Sequence, residues 1–180
     1  GCEVLLMGKA LIGLGIVILA IAFIGRMDYN VYDSTEEISM PPMASATGWQ
    51  VLPIPNVMGV VDLDVTAEWE GVYWVGVTSI DEAQRCDPDP ETKISLTCSG
   101  NNIDFEVGGP NTDNSEINWK VGSGEWYAVV GQDSGSFGQV SSLTVNLQAT
   151  ASLSGQTFTV LLGIGGGIML LGLILNRQTN

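Results

Sequence analysis

The chain has 180 residues and a formal net charge of -14 at pH 7, with 20 acidic residues, six basic residues and no histidine. Imidazole is the commonest general base and metal ligand at neutral pH, so its absence excludes the usual catalytic triads and the histidine-based copper sites. The acidic excess argues against partners that need cationic side chains, namely nucleic acids and anionic membrane surfaces.

An apolar run at residues 4–25 is the first predicted element, and only Lys9 interrupts it. A helix of this length, at about 1.5 Å per residue, crosses the hydrocarbon core of a bilayer, which is ~30 Å thick. The run is longer than the h-region of a cleaved signal peptide, and no A-x-A pattern follows it. We therefore predict an uncleaved transmembrane helix within residues 1–27.

A second apolar run, at residues 158–175, predicts another transmembrane helix with a short tail, within residues 157–180. Lys9 lies near the start of the first run, and Arg177 directly follows the second. By the positive-inside tendency, both termini are expected in the cytoplasm, although Arg26 opposes this orientation. Residues 28–156 would then form one extracytoplasmic domain, and the localisation would be the cell membrane.

Gly163, Gly165, Gly166 and Gly167 make the second apolar run unusually rich in small residues. Gly163 and Gly167 have the small-xxx-small spacing that lets two helices approach closely, and the first run offers Gly8, Gly13 and Gly15. We predict that Gly13, Gly15, Gly163 and Gly167 are helix-packing residues. The helices could pack on each other or on other subunits, and the sequence leaves both alternatives open.

The domain between the two apolar runs is predicted to begin with an irregular stretch. A segment in which apolar and polar side chains alternate follows it. Residues 29–55 contain an acidic pair at 36–37 and a proline pair at 41–42, so no regular element is expected there. Residues 61–69 alternate apolar and polar side chains, which predicts a half-buried strand. After a short turn, residues 72–80 are rich in β-branched and aromatic side chains, so the two segments together predict an antiparallel hairpin.

Five further short strands are predicted beyond a turn-like segment at residues 81–92. Glycine- and asparagine-rich loops separate them, including residues 108–114 and 131–138. Seven or eight such strands predict an antiparallel β-sandwich of immunoglobulin-like or jelly-roll type, with the aromatic residues in its core. The five additional strands are expected at 93–99, 103–107, 116–121, 125–130 and 140–150.

Cys86 and Cys98 are the strongest local signal in this domain. In an extracytoplasmic compartment such a pair is expected to oxidise, so we predict a disulfide. A metal or redox pair is the alternative, but the spacing is not C-x-x-C and no further cysteine or histidine is nearby.

The acidic sequence DPDPE between the cysteines offers a weak cation loop formed by Asp87, Asp89 and Glu91. It lacks the spacing and the glycine of an EF-hand, and an exposed acidic loop is the favoured interpretation. Asp62 and Asp64 lie on the solvent face of the same predicted strand, so we expect neither residue to be catalytic. We expect no catalytic residues, no specific metal site and no cofactor.

These features predict a non-catalytic accessory or structural subunit of a larger membrane-protein complex, of archaeal or bacterial origin. Its partners would be the lipid bilayer and other integral membrane subunits, which the glycine-rich helices would contact, and it would bind no nucleic acid. Two alternatives are a cell-surface binding, adhesion or receptor module and a homo-oligomeric two-span channel. An enzyme is not expected.

Overall fold

The computed structural model describes residues 2–40, 46–54, 59–71, 73–110, 115–132 and 141–178. A long helix stands at each end of this part of the chain, and eight strands, one short α-helix and one turn of 3-10 helix at Gly100–Asn102 lie between them. The elements in chain order are α1 (Cys2–Gly25), β1 (Tyr29–Met40), β2 (Thr47–Val51), β3 (Val61–Trp69), β4 (Tyr73–Ser79), α2 (Ile80–Cys86), β5 (Val107–Gly108), β6 (Glu116–Lys120), β7 (Trp126–Gln132), β8 (Ser141–Leu153) and α3 (Gly155–Gln178).

The eight described strands form two antiparallel sheets of four strands each. The first sheet has the order β1-β8-β3-β6, and the second has the order β2-β7-β4-β5. Every connection except that from β4 to β5 passes from one sheet to the other, which is the strand order of an eight-stranded jelly roll. The predicted antiparallel sandwich is therefore confirmed, and the strand order distinguishes the jelly-roll type from the immunoglobulin type.

Alternating burial defines the inner face of the first sheet. In β6 the side chains of Ile117 and Trp119 are buried while their neighbours are exposed. The antiparallel register places Ala67 of β3 beside Ile117, and Val65 beside Trp119. The apolar side chains of the two strands consequently lie on one face, while the polar residues between them face solvent.

The central strand β4 of the second sheet is buried on both faces. Its five middle residues, from Trp74 to Thr78, are all buried. The segment that follows it accounts for this burial: the Phe105 ring meets Trp74 edge to face at 5.5 Å, and the Thr78 hydroxyl donates to the Asp104 carbonyl at 2.6 Å. Residues 80–106 thus cover the outer face of the second sheet.

The chain divides into two compact units. One contains Gly1–Tyr29, Val57–Leu63 and Ala151–Asn180, and therefore both long helices. The other contains Asn30–Asn56 and Asp64–Thr150, and therefore most of both sheets.

Two predictions about the first half of the domain are wrong. The stretch expected to be irregular contains β1 and β2, because β1 is an edge strand whose charged residues remain in water. The segments 61–69 and 72–80 do contain β3 and β4, but these strands pair in different sheets and form no hairpin. A short turn joined two apolar strands in the sequence, and nothing local showed that the chain changes sheets there.

Three predictions between β4 and β6 also differ from the structure. Residues 80–86 form α2, whose N-terminus the Ser79 hydroxyl caps by accepting from the Glu82 N–H. Residues 93–99 form no strand, and residues 103–107 contribute only the start of β5. The proline pair at 41–42 and most of the loops predicted at 108–114 and 131–138 lie outside the described residues.

Candidate functional site

The helices α1 and α3 form an antiparallel pair, and small residues recur at regular intervals along their contact surface. Among residues 6–25 of α1, the buried positions are Gly8, Gly15 and Ala22, spaced seven residues apart. In α3 they are Gly165 and Gly172, with the same spacing. Seven residues make about two turns at 3.6 residues per turn, so each set lies along one side of its helix. We call these five residues the small-residue seam.

The backbones approach closely along the seam. A Cβ atom placed on Gly15 would lie 2.7 Å from the Gly165 carbonyl oxygen, and one on Gly172 would lie 2.8 Å from the Gly8 carbonyl oxygen. Near one end of the pair, the rings of Phe23 and Phe158 meet edge to face at 5.6 Å. Only residues without a side chain permit such proximity, which allows extensive van der Waals contact between the helices.

The remaining faces of both helices are apolar and exposed. The segments Leu6–Gly25 and Gly155–Arg177 have a mean hydropathy of 2.4 and are only 17% and 11% buried. Both are therefore long and apolar enough to cross a membrane. Large exposed apolar side chains occur all along them, namely Leu6, Met7, Leu14, Ile16, Val17, Ile21, Phe23, Ile24, Val160, Ile164, Leu170, Leu171, Leu173 and Ile174.

The four glycines predicted to pack helices occupy two different environments. Gly15 lies in the small-residue seam, where it contacts α3. Gly13, Gly163 and Gly167 lie away from the seam, and a Cβ placed on any of them would meet no atom within 4 Å. Their packing against another chain stays a prediction. Gly8, which the first run also offers, and Gly172 belong to the seam. Gly172 was not predicted, because the small-xxx-small pattern repeats every four residues and the seam repeats every seven.

Polar contacts fix the junction between the helices and the strands that adjoin them. The Arg26 guanidinium donates to the Leu153 carbonyl at 2.8 Å and lies 3.9 Å from the Asp62 carboxylate. The Ser154 hydroxyl donates to the Gly59 carbonyl at 2.7 Å and accepts from the Thr157 N–H at the start of α3. Ser154 is thus an N-cap residue. The serine before an apolar run was the sequence signal for this cap.

Cys86 and Cys98 form a disulfide with their Cα atoms 5.3 Å apart. Both residues are buried, in a cluster that also contains Trp49, Trp74 and Val129. The disulfide is therefore a covalent part of the core of the unit that contains most of both sheets, as expected of a structural disulfide.

The acidic residues between the cysteines act within the loop itself. Asp87 caps α2 in a left-handed conformation, with its N–H donating to the Ala83 carbonyl. The Asp89 carboxylate accepts from the Thr92 N–H at 2.7 Å, the Thr92 hydroxyl at 2.9 Å and the Glu91 N–H at 3.0 Å. These hydrogen bonds, with that of the Thr92 N–H foremost, lower the pKa of Asp89 below its ordinary value of 3.8.

The predicted cation loop does not assemble into a recognisable ligand set. Across the described parts of the chain, no group of three cysteine, aspartate or glutamate side chains is arranged to hold a metal ion. Asp87, Asp89 and Glu91 are all among the residues searched. A cation bound by these three side chains therefore stays a prediction without a preformed site.

A shallow depression of about 780 Å³ lies over strands of the first sheet. Carboxylates and hydroxyl groups line it, and its indole ring, Trp69, is buried and donates to the Tyr73 carbonyl. The other lining residues are Glu68, Glu70, Ser115, Glu116, Ser142, Thr144 and Asn146. The depression is polar and acidic, in keeping with the charge of the chain.

Neither a protein-family model nor a curated protein matches the chain. Among solved structures, it is similar to a chain in the acidic stable capsid structure of Helicobacter pylori bacteriophage KHP30. The two chains are 11% identical, the match covers 71% of this chain and 92% of that one, and the TM-score is 0.27. A likeness at that score carries no argument about fold or function.

We predict that Gly15→Ala destabilises the helix pair, whereas Gly13→Ala does not. The new methyl group at position 15 would lie 2.7 Å from the Gly165 carbonyl oxygen, and overpacking of this kind costs about 1–3 kcal/mol. At position 13 the methyl group meets open space, and alanine favours a helix over glycine by about 1 kcal/mol. Thermal unfolding of the full chain in detergent micelles, followed by circular dichroism, compares the two. Equal melting temperatures for the two variants would contradict the close helix contact at Gly15.

Replacing both Cys86 and Cys98 with alanine should lower the free energy of unfolding by about 3 kcal/mol, because the disulfide restricts the unfolded chain. Urea denaturation of the full chain in detergent measures this difference. Cys2→Ala is the control and should leave the value unchanged. If wild type and the double variant unfold at the same urea concentration under non-reducing conditions, the disulfide does not stabilise the fold.

The lowered pKa of Asp89 predicts a stability that depends on pH. Because the pKa of the folded state lies below the unfolded value, the carboxylate stabilises the fold above about pH 3.8. That contribution is lost as the pH falls through the folded pKa. Asp89→Asn keeps an acceptor oxygen without the charge, so it should be less stable than wild type at pH 7. Urea midpoints measured at decreasing pH should converge, and a constant difference would contradict the assignment.

Proposed function

We propose that the chain is a non-catalytic structural or accessory subunit of a membrane assembly, anchored by α1 and α3. The observation that carries this proposal is the exposure of apolar side chains around the whole helix pair. Water-soluble monomers rarely expose contiguous apolar patches larger than a few hundred Å². A bilayer would cover these faces, and the seam would hold the two spans together as a hairpin.

The acidic sandwich is proposed to lie on the extracytoplasmic side, with both termini in the cytoplasm. The disulfide between Cys86 and Cys98 supports this side, because such bonds persist in oxidising compartments. Lys9 and Arg177, both exposed, lie at the opposite ends of their helices from the strands, in agreement with the positive-inside tendency.

Gly13, Gly163 and Gly167 are proposed to contact helices of other subunits. They leave open space on faces of the hairpin that the seam does not use. Glycine disfavours a helix by about 1 kcal/mol relative to alanine, so its use on a lipid-facing surface needs a compensating interaction. Close approach of a neighbouring helix would supply one.

A second candidate function is a cell-surface binding module. The acidic depression on the first sheet favours it, because its carboxylate and hydroxyl groups are suited to hydrogen bonding with a polar or cationic ligand.

The proposal predicts that the double variant Gly163→Leu, Gly167→Leu separates the chain from its assembly. A Cβ atom at either position would meet no atom within 4 Å, so the added side chains start in open space and would block the approach of a neighbouring helix. After mild detergent extraction, native electrophoresis should show wild type in a complex much larger than the 19.0 kDa chain, and the variant outside it.

Ile164→Leu is the control, since it changes an exposed side chain of α3 without adding bulk. It should migrate with wild type. A wild-type chain that is monomeric after mild extraction would refute the proposed function. An intact complex containing the double variant would refute the role of the two glycines.

A further inference from the structure

The segment closed by the disulfide, residues 86–98, holds one large apolar side chain in solvent. Leu96 is 95% exposed. Outside the two long helices, the other large apolar residues that the structure finds exposed reach only 46–62%. We call residues 86–98 the Leu96 loop.

The residues on either side of Leu96 determine its direction. The hydroxyl groups of Ser95 and Thr97 both donate to the Cys86 carbonyl at 2.5 Å. The Cys98 N–H in turn donates to the Ser95 hydroxyl at 3.1 Å. Because both neighbours are bound on the inner side of the loop, the intervening side chain of Leu96 is directed outward.

Further contacts restrain the loop against movement. The disulfide closes the loop. In its middle, the Asp89 carboxylate accepts a hydrogen bond from the Thr92 N–H, and the backbone of Lys93 is in the left-handed conformation. The Thr47 hydroxyl donates to the Lys93 carbonyl at 3.4 Å, which ties the loop to β2. A loop restrained in this way loses little backbone conformational entropy when it binds a partner.

The charges of the loop indicate what kind of surface it fits. Three acids, Asp87, Asp89 and Glu91, accompany a single base, Lys93. The whole chain carries -14, so a second copy or an anionic lipid surface would be repelled. A surface with an apolar socket bordered by lysine or arginine would accept the leucine and complement the acids.

We propose that the Leu96 loop docks into an apolar, basic-bordered socket on a different protein chain of the assembly. This inference rests on the proposed function, since it assigns a second contact to the same subunit. The loop would supply this contact outside the bilayer, while the outward-facing glycines would supply the contact between helices.

The test places a photo-crosslinking amino acid at position 96 of the full chain in its native membranes. Position 51 is the control, because Val51 is another exposed apolar residue of the sandwich. We expect one heterologous adduct from position 96 and not from position 51. The crosslinked peptide should contain apolar residues flanked by lysine or arginine, and the yield should fall at high salt.

Two substitutions then measure the contact without the crosslinker. Leu96→Asp should reduce the amount of the crosslinked chain that copurifies with this one by about tenfold or more, while Leu96→Met should retain it. Both variants should keep the melting temperature of wild type, because Leu96 contributes nothing to the core. An adduct with lipid, an adduct with a second copy, or no adduct would overturn the inference.

The two proposals fail in different ways. If Leu96→Asp leaves copurification unchanged while Gly163→Leu, Gly167→Leu releases the chain, the docking loop is refuted and the membrane subunit stands. If wild type is monomeric after mild extraction, both are refuted.

Discussion

Contact between the backbones of α1 and α3 depends on the absence of side chains at Gly8, Gly15, Gly165 and Gly172. A methyl group at any of these positions would lie 2.7–3.1 Å from a carbonyl oxygen of the other helix or, at Gly165, 3.0 Å from Leu19. In a bilayer, lipid tails are as apolar as leucine, so burying apolar surface does not bring two helices together. Close packing must do so, and glycine every two turns on each helix provides it.

Different kinds of interaction stabilise different regions of the unit that contains both long helices. Along the helices the contacts are apolar, whereas at the junction they are hydrogen bonds and an ion pair made by Arg26 and Ser154. The guanidinium of Arg26 and the hydroxyl group of Ser154 donate to carbonyl oxygens at this junction, and hydrogen bonds restrict the orientation of the groups they join more strictly than apolar contacts do.

Sequence reasoning predicted the parts of the fold that depend on composition and local period. The two apolar helices, the antiparallel sandwich and the disulfide between Cys86 and Cys98 all follow from such patterns. It failed where contacts between residues far apart in the chain determine the structure. The assignment of β3 and β4 to different sheets depends on partners far along the chain, and β1 has the charged composition of a loop because it lies at a sheet edge. Of the candidate site, Gly15 was among the glycines predicted to pack helices, whereas Gly165 and Gly172 were missed because only the geometry shows that seven-residue spacing matters.

The junction at Ser154 has a consequence for how this chain could vary. Only this residue separates the end of β8 from the start of α3. Each residue turns a helix by about 100°, so inserting or deleting one residue here would rotate Gly165 and Gly172 away from α1. The length of this connection is therefore fixed by the phase of the helix.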